Sequence, residues 1–429
     1  MRRTLTRLGL AAVLAAGLLT AAAVVARPDA TVPAAQSAAQ QPVDRLAQRI
    51  ARTQQQLRDV PGDWPGWAAL GAAYLEQARI TADPGLYPKA EEAARRSLTL
   101  RPDGNGDGLV VLGALANARH DFATARDQAR EALAVNDHDA EAYGVLADAL
   151  TQLGDAPAAT AAVQRMLDLR PGLAAYARAS YDLELRGRVT EAETLMRQAL
   201  DNAVDPHDVA FCRTQLGDLA FGRGDLAAAE ASYSAALAAD PTAVGARHGL
   251  ARIREDLAGY GELVARMPTT SILLEYAALL RVAGRQTESD QQIALAAAAE
   301  RLFAANGGSD GLATAELALA QGRPDDAVTA AQAEWKRRRH PDVADMLAWA
   351  LHSAGRDAEA LPYAERAAAG GARPAVYAYH LGMIQLGLGR HAAARSELAR
   401  ALDTNPRFSP VDAPLARRAL AGLRTSGGN

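Results

Sequence analysis

Asp103, Asn105, Asp107 and Gly108 stand at the spacing with which a calcium loop begins, where alternate oxygen side chains and a sharp-turn glycine surround a hard cation. That loop would next need a bidentate glutamate at residue 114, which is Ala114, and residue 111, another ligand place, is Val111. A turn between helices uses Gly and Asp equally well, so the half-motif implies no metal. Eight histidines are scattered along the chain, none in a His-Glu-x-x-His arrangement. His352 and His380 fall in matching regions of neighbouring segments, but a zinc site needs three or four converging ligands and no third stands out. The single cysteine, Cys212, lies in an apolar stretch with Phe211, Leu216 and Leu219 and reads as a small buried hydrophobe. One thiol makes neither an internal disulfide nor a multi-cysteine metal site. The basic run Lys336-Arg337-Arg338-Arg339-His340 ends a helical segment, where cations complement the helix dipole, and that reading is preferred to a nucleic-acid patch. No Gly-rich phosphate loop, Gly-x-Ser-x-Gly elbow or paired acids at catalytic spacing stand out. The expectation is a protein that is not an enzyme and takes no cofactor or metal.

The elements that would position any site are helices. Of the 429 residues, 49% are hydrophobic but only 5% aromatic, with alanine supplying much of the apolar content. Alanine is the best helix former and buries little area, so helices built on it pack backbone close to backbone. The formal net charge is −4, from 46 basic and 50 acidic residues, which gives no general push toward phosphate backbones.

The amino terminus carries Arg2, Arg3 and Arg7, followed by an uncharged run from Leu8 to Ala26. A positive start and an apolar stretch predict that residues 1–26 are a signal peptide or an N-terminal membrane anchor. Both place the rest of the chain outside the cytoplasm. Residues 27–42, rich in Pro, Ala, Gln and Ser, read as a flexible linker.

Two distant stretches align at one offset. Leu216, Gly217, Ala220, Gly224, Ala229, Tyr233, Ala236 and Pro241 match Leu381, Gly382, Gln385, Gly389, Ala394, Leu398, Ala401 and Pro406, each pair 165 residues apart. Small residues such as Gly217, Ala229 and Ala236 let two antiparallel helices approach; Leu216 and Tyr233 fill the gap; Gly224-Asp225 turns the chain; Pro241 ends the second helix. The pattern resembles the tetratricopeptide repeat, whose unit is about 34 residues. Further copies run from Trp67 to Pro102, Leu109 to Asp137, Tyr143 to Pro171 and Tyr181 to Pro206, and others centre on Leu280, Gly322 and Leu347. The sixth departs: Pro241 to Pro268 is 27 residues, which predicts shortened helices and a kink or flexible joint. The seventh has a long second helix through Ile293 and Leu302. Asp412 to Leu423 reads as a cap over the last apolar face.

The resemblance therefore implies an all-α fold, a right-handed superhelical solenoid of about ten helix pairs with a C-terminal capping helix. Its expected divisions are an N-terminal array at 43–241, an irregular repeat at 242–268, a C-terminal array with the cap at 269–423 and a tail at 424–429. The resemblance also implies a concave groove lined by first helices. The residue after the small position of those helices gives Asp148, Asp182 and Asp218 in three successive copies, and Trp349 and Met383, with Tyr379 nearby, in two later ones. An acidic stripe would prefer a basic partner, and exposed aromatics would anchor one. A clamp for a partner's terminal carboxylate, built in some such proteins from Lys and Asn, is not expected, because Lys89 and Lys336 are the only lysines and neither sits suitably. The function this implies is a non-catalytic scaffold binding another protein or peptide, with no nucleic acid and with membrane contact only through the N-terminal segment. The alternative is a peptide or small-ligand sensor that flexes at the sixth repeat, and an enzyme subunit is less favoured because the repeats leave no room for a catalytic domain.

Overall fold

The computed structural model describes residues 41–372 and 374–425. The apolar segment at 8–26 lies outside them, and no described helix is long and apolar enough to cross a membrane.

Among the described residues every regular element is helical. A leading helix, α1 (Gln41–Asp59), precedes ten antiparallel pairs. The first five are α2 (Trp64–Thr81) with α3 (Tyr87–Leu100), α4 (Gly106–Ala118) with α5 (Phe122–Val135), α6 (Ala140–Leu153) with α7 (Ala156–Leu169), α8 (Leu173–Leu185) with α9 (Val189–Asp201), and α10 (Pro206–Gly222) with α11 (Leu226–Ala239). The sixth is short, α12 (Val244–Arg254) with α13 (Leu257–Arg266). The rest are α14 (Thr270–Val282) with α15 (Gln286–Ala305), α16 (Gly311–Ala320) with α17 (Pro324–Arg337), α18 (Pro341–Ser353) with α19 (Asp357–Ala368), and α20 (Ala375–Gly387) with α21 (His391–Thr404). The cap is α22 (Asp412–Thr425). The pairs wind into a right-handed superhelix.

Local chemistry explains the boundaries. Asp63, Asn105, Asp121, Asp139, Asp155 and Asp225 each cap a helix by accepting from backbone N–H groups that would otherwise lack partners. Asn105 also donates to Ser97 Oγ at 2.9 Å, so the residues that resembled a calcium loop serve as a helix cap. Cys212 is fully buried, and burial pushes its thiol up to about 11. Tyr233 shows how close the helices come: it is fully buried between α10 and α12, and a methyl group at either Gly217 or Gly249 would collide with its ring.

The superhelix closes on itself. The turns inside the N-terminal pairs meet the turns between the C-terminal pairs along a seam. Ser309 N donates to Arg119 O at 3.0 Å, Arg339 N to Leu153 O at 3.2 Å and Ala372 N to Leu185 O at 2.9 Å. Asn405 Nδ2 donates to Phe221 O at 2.7 Å. Arg119 Nε and Asn306, Arg338 and Gln152, and Asn405 and Phe221 are 187, 186 and 184 residues apart. That is about five and a half repeats of 34 residues, one superhelical turn resting on the next. The basic run supplies much of this seam. Arg337 donates to His120 O at 2.7 Å and Arg338 to Gln152 Oε1 at 2.6 Å, while Arg338 also pairs with buried Glu334 and lies over the Phe122 ring. The helix-end reading of this run thus covers only part of its role.

Candidate functional site

Closure of the seam turns the concave face into an enclosed interior. On its C-terminal side is a cavity of about 440 Å³, lined by α14, α16, α18 and α20, by His120, Phe122 and Gln152 reaching across the seam, and by Pro410, Val411 and Leu415 at the cap. Its size is that of a small-ligand or side-chain pocket. Part of the lining is apolar, from Leu274, Ala277, Leu312, Val411 and Leu415. The rest is polar and largely ionisable.

Two pairs of residues build that polar lining, each pair spanning neighbouring repeats. Tyr377 donates its hydroxyl to Asp342, and His380 Nδ1 faces Asp345 Oδ2 at 2.8 Å. Each partner stands 35 residues from the other, one repeat apart on the first helices α18 and α20. His380 stacks on Trp349 with ring centroids 4.1 Å apart, and His352 approaches the same indole at 4.9 Å. His352 is bonded to Asp357, so the two histidines do share a neighbourhood without converging on one point. No group of three or more His, Cys, Asp or Glu side chains able to hold a metal occurs among the described residues.

The electrostatics are acid-dominated. Burial pushes the Glu300 carboxyl up to about 7, with the Thr270 hydroxyl at 2.5 Å working against it and the Asp310 charge adding to it. Across the interior Glu184 is likewise pushed up to about 7 by burial, then by the charges of Asp218 and Asp342. Asp310 goes the other way: burial raises it, but His120 at 3.4 Å, Arg338 and the Ala313 N–H together outweigh burial and hold it below the ordinary range. Asp342 and Asp345 add to burial in keeping the Tyr377 hydroxyl protonated.

None of the six residues singled out from the repeat pattern lines this cavity. Asp148 forms a two-pronged pair with Arg178 of the next first helix, at 2.8 and 2.7 Å. Asp182 is buried, accepting from Thr160 at 2.7 Å and pairing with Arg186. Asp218 accepts from Tyr233 at 2.7 Å, with Arg252 at 3.6 Å. The stripe is therefore a row of charges already matched by arginines, not a bare anionic surface. Trp349 and Tyr379 are 4% and 1% exposed, and Met383 is half-buried against the same core, so these are not exposed anchors but the packing that holds His380 and its neighbours. The cavity residues Asp342, Asp345 and Tyr377 were missed, and His380 was weighed only as a metal ligand beside His352. The signal for them was polar residues repeating at one repeat length on apolar helices, a spacing that the eye trained on small and large positions passes over.

With this geometry in view, comparison with known proteins is direct. The tetratricopeptide repeat family matches residues 112–174, 214–259 and 312–376, and a second description of the same repeat matches 375–408. The chain carries tetratricopeptide repeats. No curated protein matches it. Solved structures similar to this tetratricopeptide array include the APC/C hetero-tetramer Cut9–Hcn1, with 14% identity, coverage of 90% of this chain and 94% of that one, and a TM-score of 0.41. A thermophilic tetratricopeptide protein of Thermus thermophilus shares 20% identity over 42% of this chain and 91% of its own, with a TM-score of 0.35. The human IFIT1 dimer with m7Gppp-AAAA shares 14% identity over 74% of this chain and 75% of its own, with a TM-score of 0.45.

Proposed function

We propose that this protein is a non-catalytic interaction scaffold that holds a segment of another protein inside the closed turn of its tetratricopeptide superhelix. The observation that carries this reading is the cavity of about 440 Å³ on the concave face, bounded by first helices from successive repeats and walled by the seam. Tetratricopeptide folds generally mediate protein–protein interaction through such concave surfaces. The arginines at the amino terminus followed by an uncharged run support a position outside the cytoplasm, anchored or released there. The near-balanced charge favours a protein partner over nucleic acid.

A photo-crosslinking residue at Val282, which lines the cavity and is exposed at its edge, tests this in native cells against one at Val204, which is exposed away from it. Capture of a defined protein from Val282 and not from Val204 is the expected outcome. Equal capture from both sites, or none from Val282, would discard the concave-face scaffold.

A second reading is favoured by the sixth pair, whose helices have only 11 and 10 residues. A ligand sensor flexing there would compact when loaded. An unchanged radius of gyration in solution scattering, with ligand bound, would remove it.

A further inference from the structure

Asp345 and His380 are the cavity's unfinished polar groups. They are 5% and 1% exposed, and beyond their mutual contact Asp345 Oδ1 and His380 Nε2 have no hydrogen-bond partner among the described residues. A buried carboxylate oxygen left bare is costly unless an N–H meets it. Both residues line the cavity, so an unpartnered carboxylate oxygen sits in its wall.

The surrounding charges point the same way. Glu300, Asp310, Glu316, Asp342 and Asp345 line the cavity against Arg281, Arg338 and Arg418. Arg338 hydrogen-bonds Glu334 and Gln152 and favours the charged form of Asp310, and none of these contacts reaches Asp345. The apolar lining residues Leu274, Leu312, Val411 and Leu415 would receive aliphatic side chains.

We propose that the cavity receives a protonated guanidinium or amine side chain carried on an apolar stretch of the partner polypeptide, with the Asp345 carboxylate as the accepting group. This rests on the scaffold reading and names the chemistry its partner must present. A cation there satisfies the bare oxygen, and charge-assisted hydrogen bonds are the stronger kind.

The test uses the full chain and three probe peptides, acetyl-Leu-Xaa-Leu-amide with arginine, citrulline or glutamate at Xaa. Citrulline keeps the shape of arginine without its charge. Calorimetric titration is expected to show the arginine peptide binding at least ~10-fold more tightly than the citrulline peptide, with the glutamate peptide weaker still. Asp345→Asn should reduce the arginine preference to below ~3-fold, whereas Asp148→Asn, outside the cavity, should leave it intact. Where Asp345→Asn does not fold, the ratio measured on the unaltered chain still decides. Equal binding of the citrulline peptide, tighter binding of the glutamate peptide, or no binding of the arginine peptide overturns the proposal. A partner captured at Val282 together with any of those results would discard the cationic ligand while keeping the scaffold.

Discussion

Gly154, Gly187 and Gly224 close the turns inside three N-terminal pairs, and Gly284, Gly322 and Gly389 close the same turns in C-terminal pairs. All six have φ between +73° and +84°, the left-handed region that favours glycine. Their surroundings differ. A methyl group added at the first three would run into the backbone of Arg339, Gly371 and Thr404, whereas at the last three it would meet nothing within 4 Å. The interiors differ in the same sense. N-terminal groove acids are matched by Arg178, Arg186 and Arg252, while the C-terminal interior keeps a cavity with bare polar atoms. The stretch from Ala315 to Leu423 also packs as one continuous core, whereas the rest of the chain, α14 and α15 included, is divided among smaller clusters. One repeat thus serves as a buttress in one half and as a container in the other, and the seam joins the two roles.

The largest effect should come from cutting the seam at its charged bolt. Arg338→Met leaves Glu334 buried with only Arg337 beside it, and should cost about 3–5 kcal/mol in urea unfolding, with earlier hydrogen exchange around Gln152 and Leu153. Gly187→Ala combines left-handed strain with collision against Gly371 and should cost about 2–4 kcal/mol by the same measurement. Gly389→Ala carries the strain alone and should cost about 1–2 kcal/mol. If the two glycine variants were equally destabilised, the distinction between the halves would fail.

Glu300 sharpens the contrast through pH. Its folded value near 7 exceeds the ordinary 4.5, so the folded state holds a proton that the unfolded chain releases. Stability therefore falls as pH rises from 4.5 to 7 and levels off above. Glu300→Gln should raise stability by about 1–2 kcal/mol at pH 8 and change little at pH 5, read from denaturant midpoints at the two pH values. The smallest effect belongs to the partly exposed N-terminal pair: Asp148→Asn should cost about 0.5–1 kcal/mol and fade in high salt.

Much of the fold is legible in the chain. The all-α class, the ten pairs and the cap follow from small and large residues recurring at the repeat length, because helix pairing is a short-range matter of which side chains let two backbones approach. The short sixth pair follows from a 27-residue interval between prolines. The candidate site was less legible. Asp148, Asp182 and Asp218 were placed correctly on first helices, but Arg178 and Arg252 reach Asp148 and Asp218 from other helices, and only Arg186, four residues on from Asp182, lies within reach of local spacing. Trp349 and Tyr379 were read as exposed because an isolated repeat would expose them; the neighbouring repeat and the cap bury both.

Helix pairs, turn glycines and capping acids are set by interactions within one repeat, so local residue types suffice to specify them. The seam and the cavity arise from partners about 186 residues apart, such as Arg338 and Gln152. Their meeting depends on the small rotation between each pair and the next, summed over five and a half repeats. No single stretch of chain encodes that sum, and so the superhelix alone determines which turn glycine is pressed against backbone, which acids find arginines on other helices and which buried carboxylate oxygen is left without a hydrogen bond.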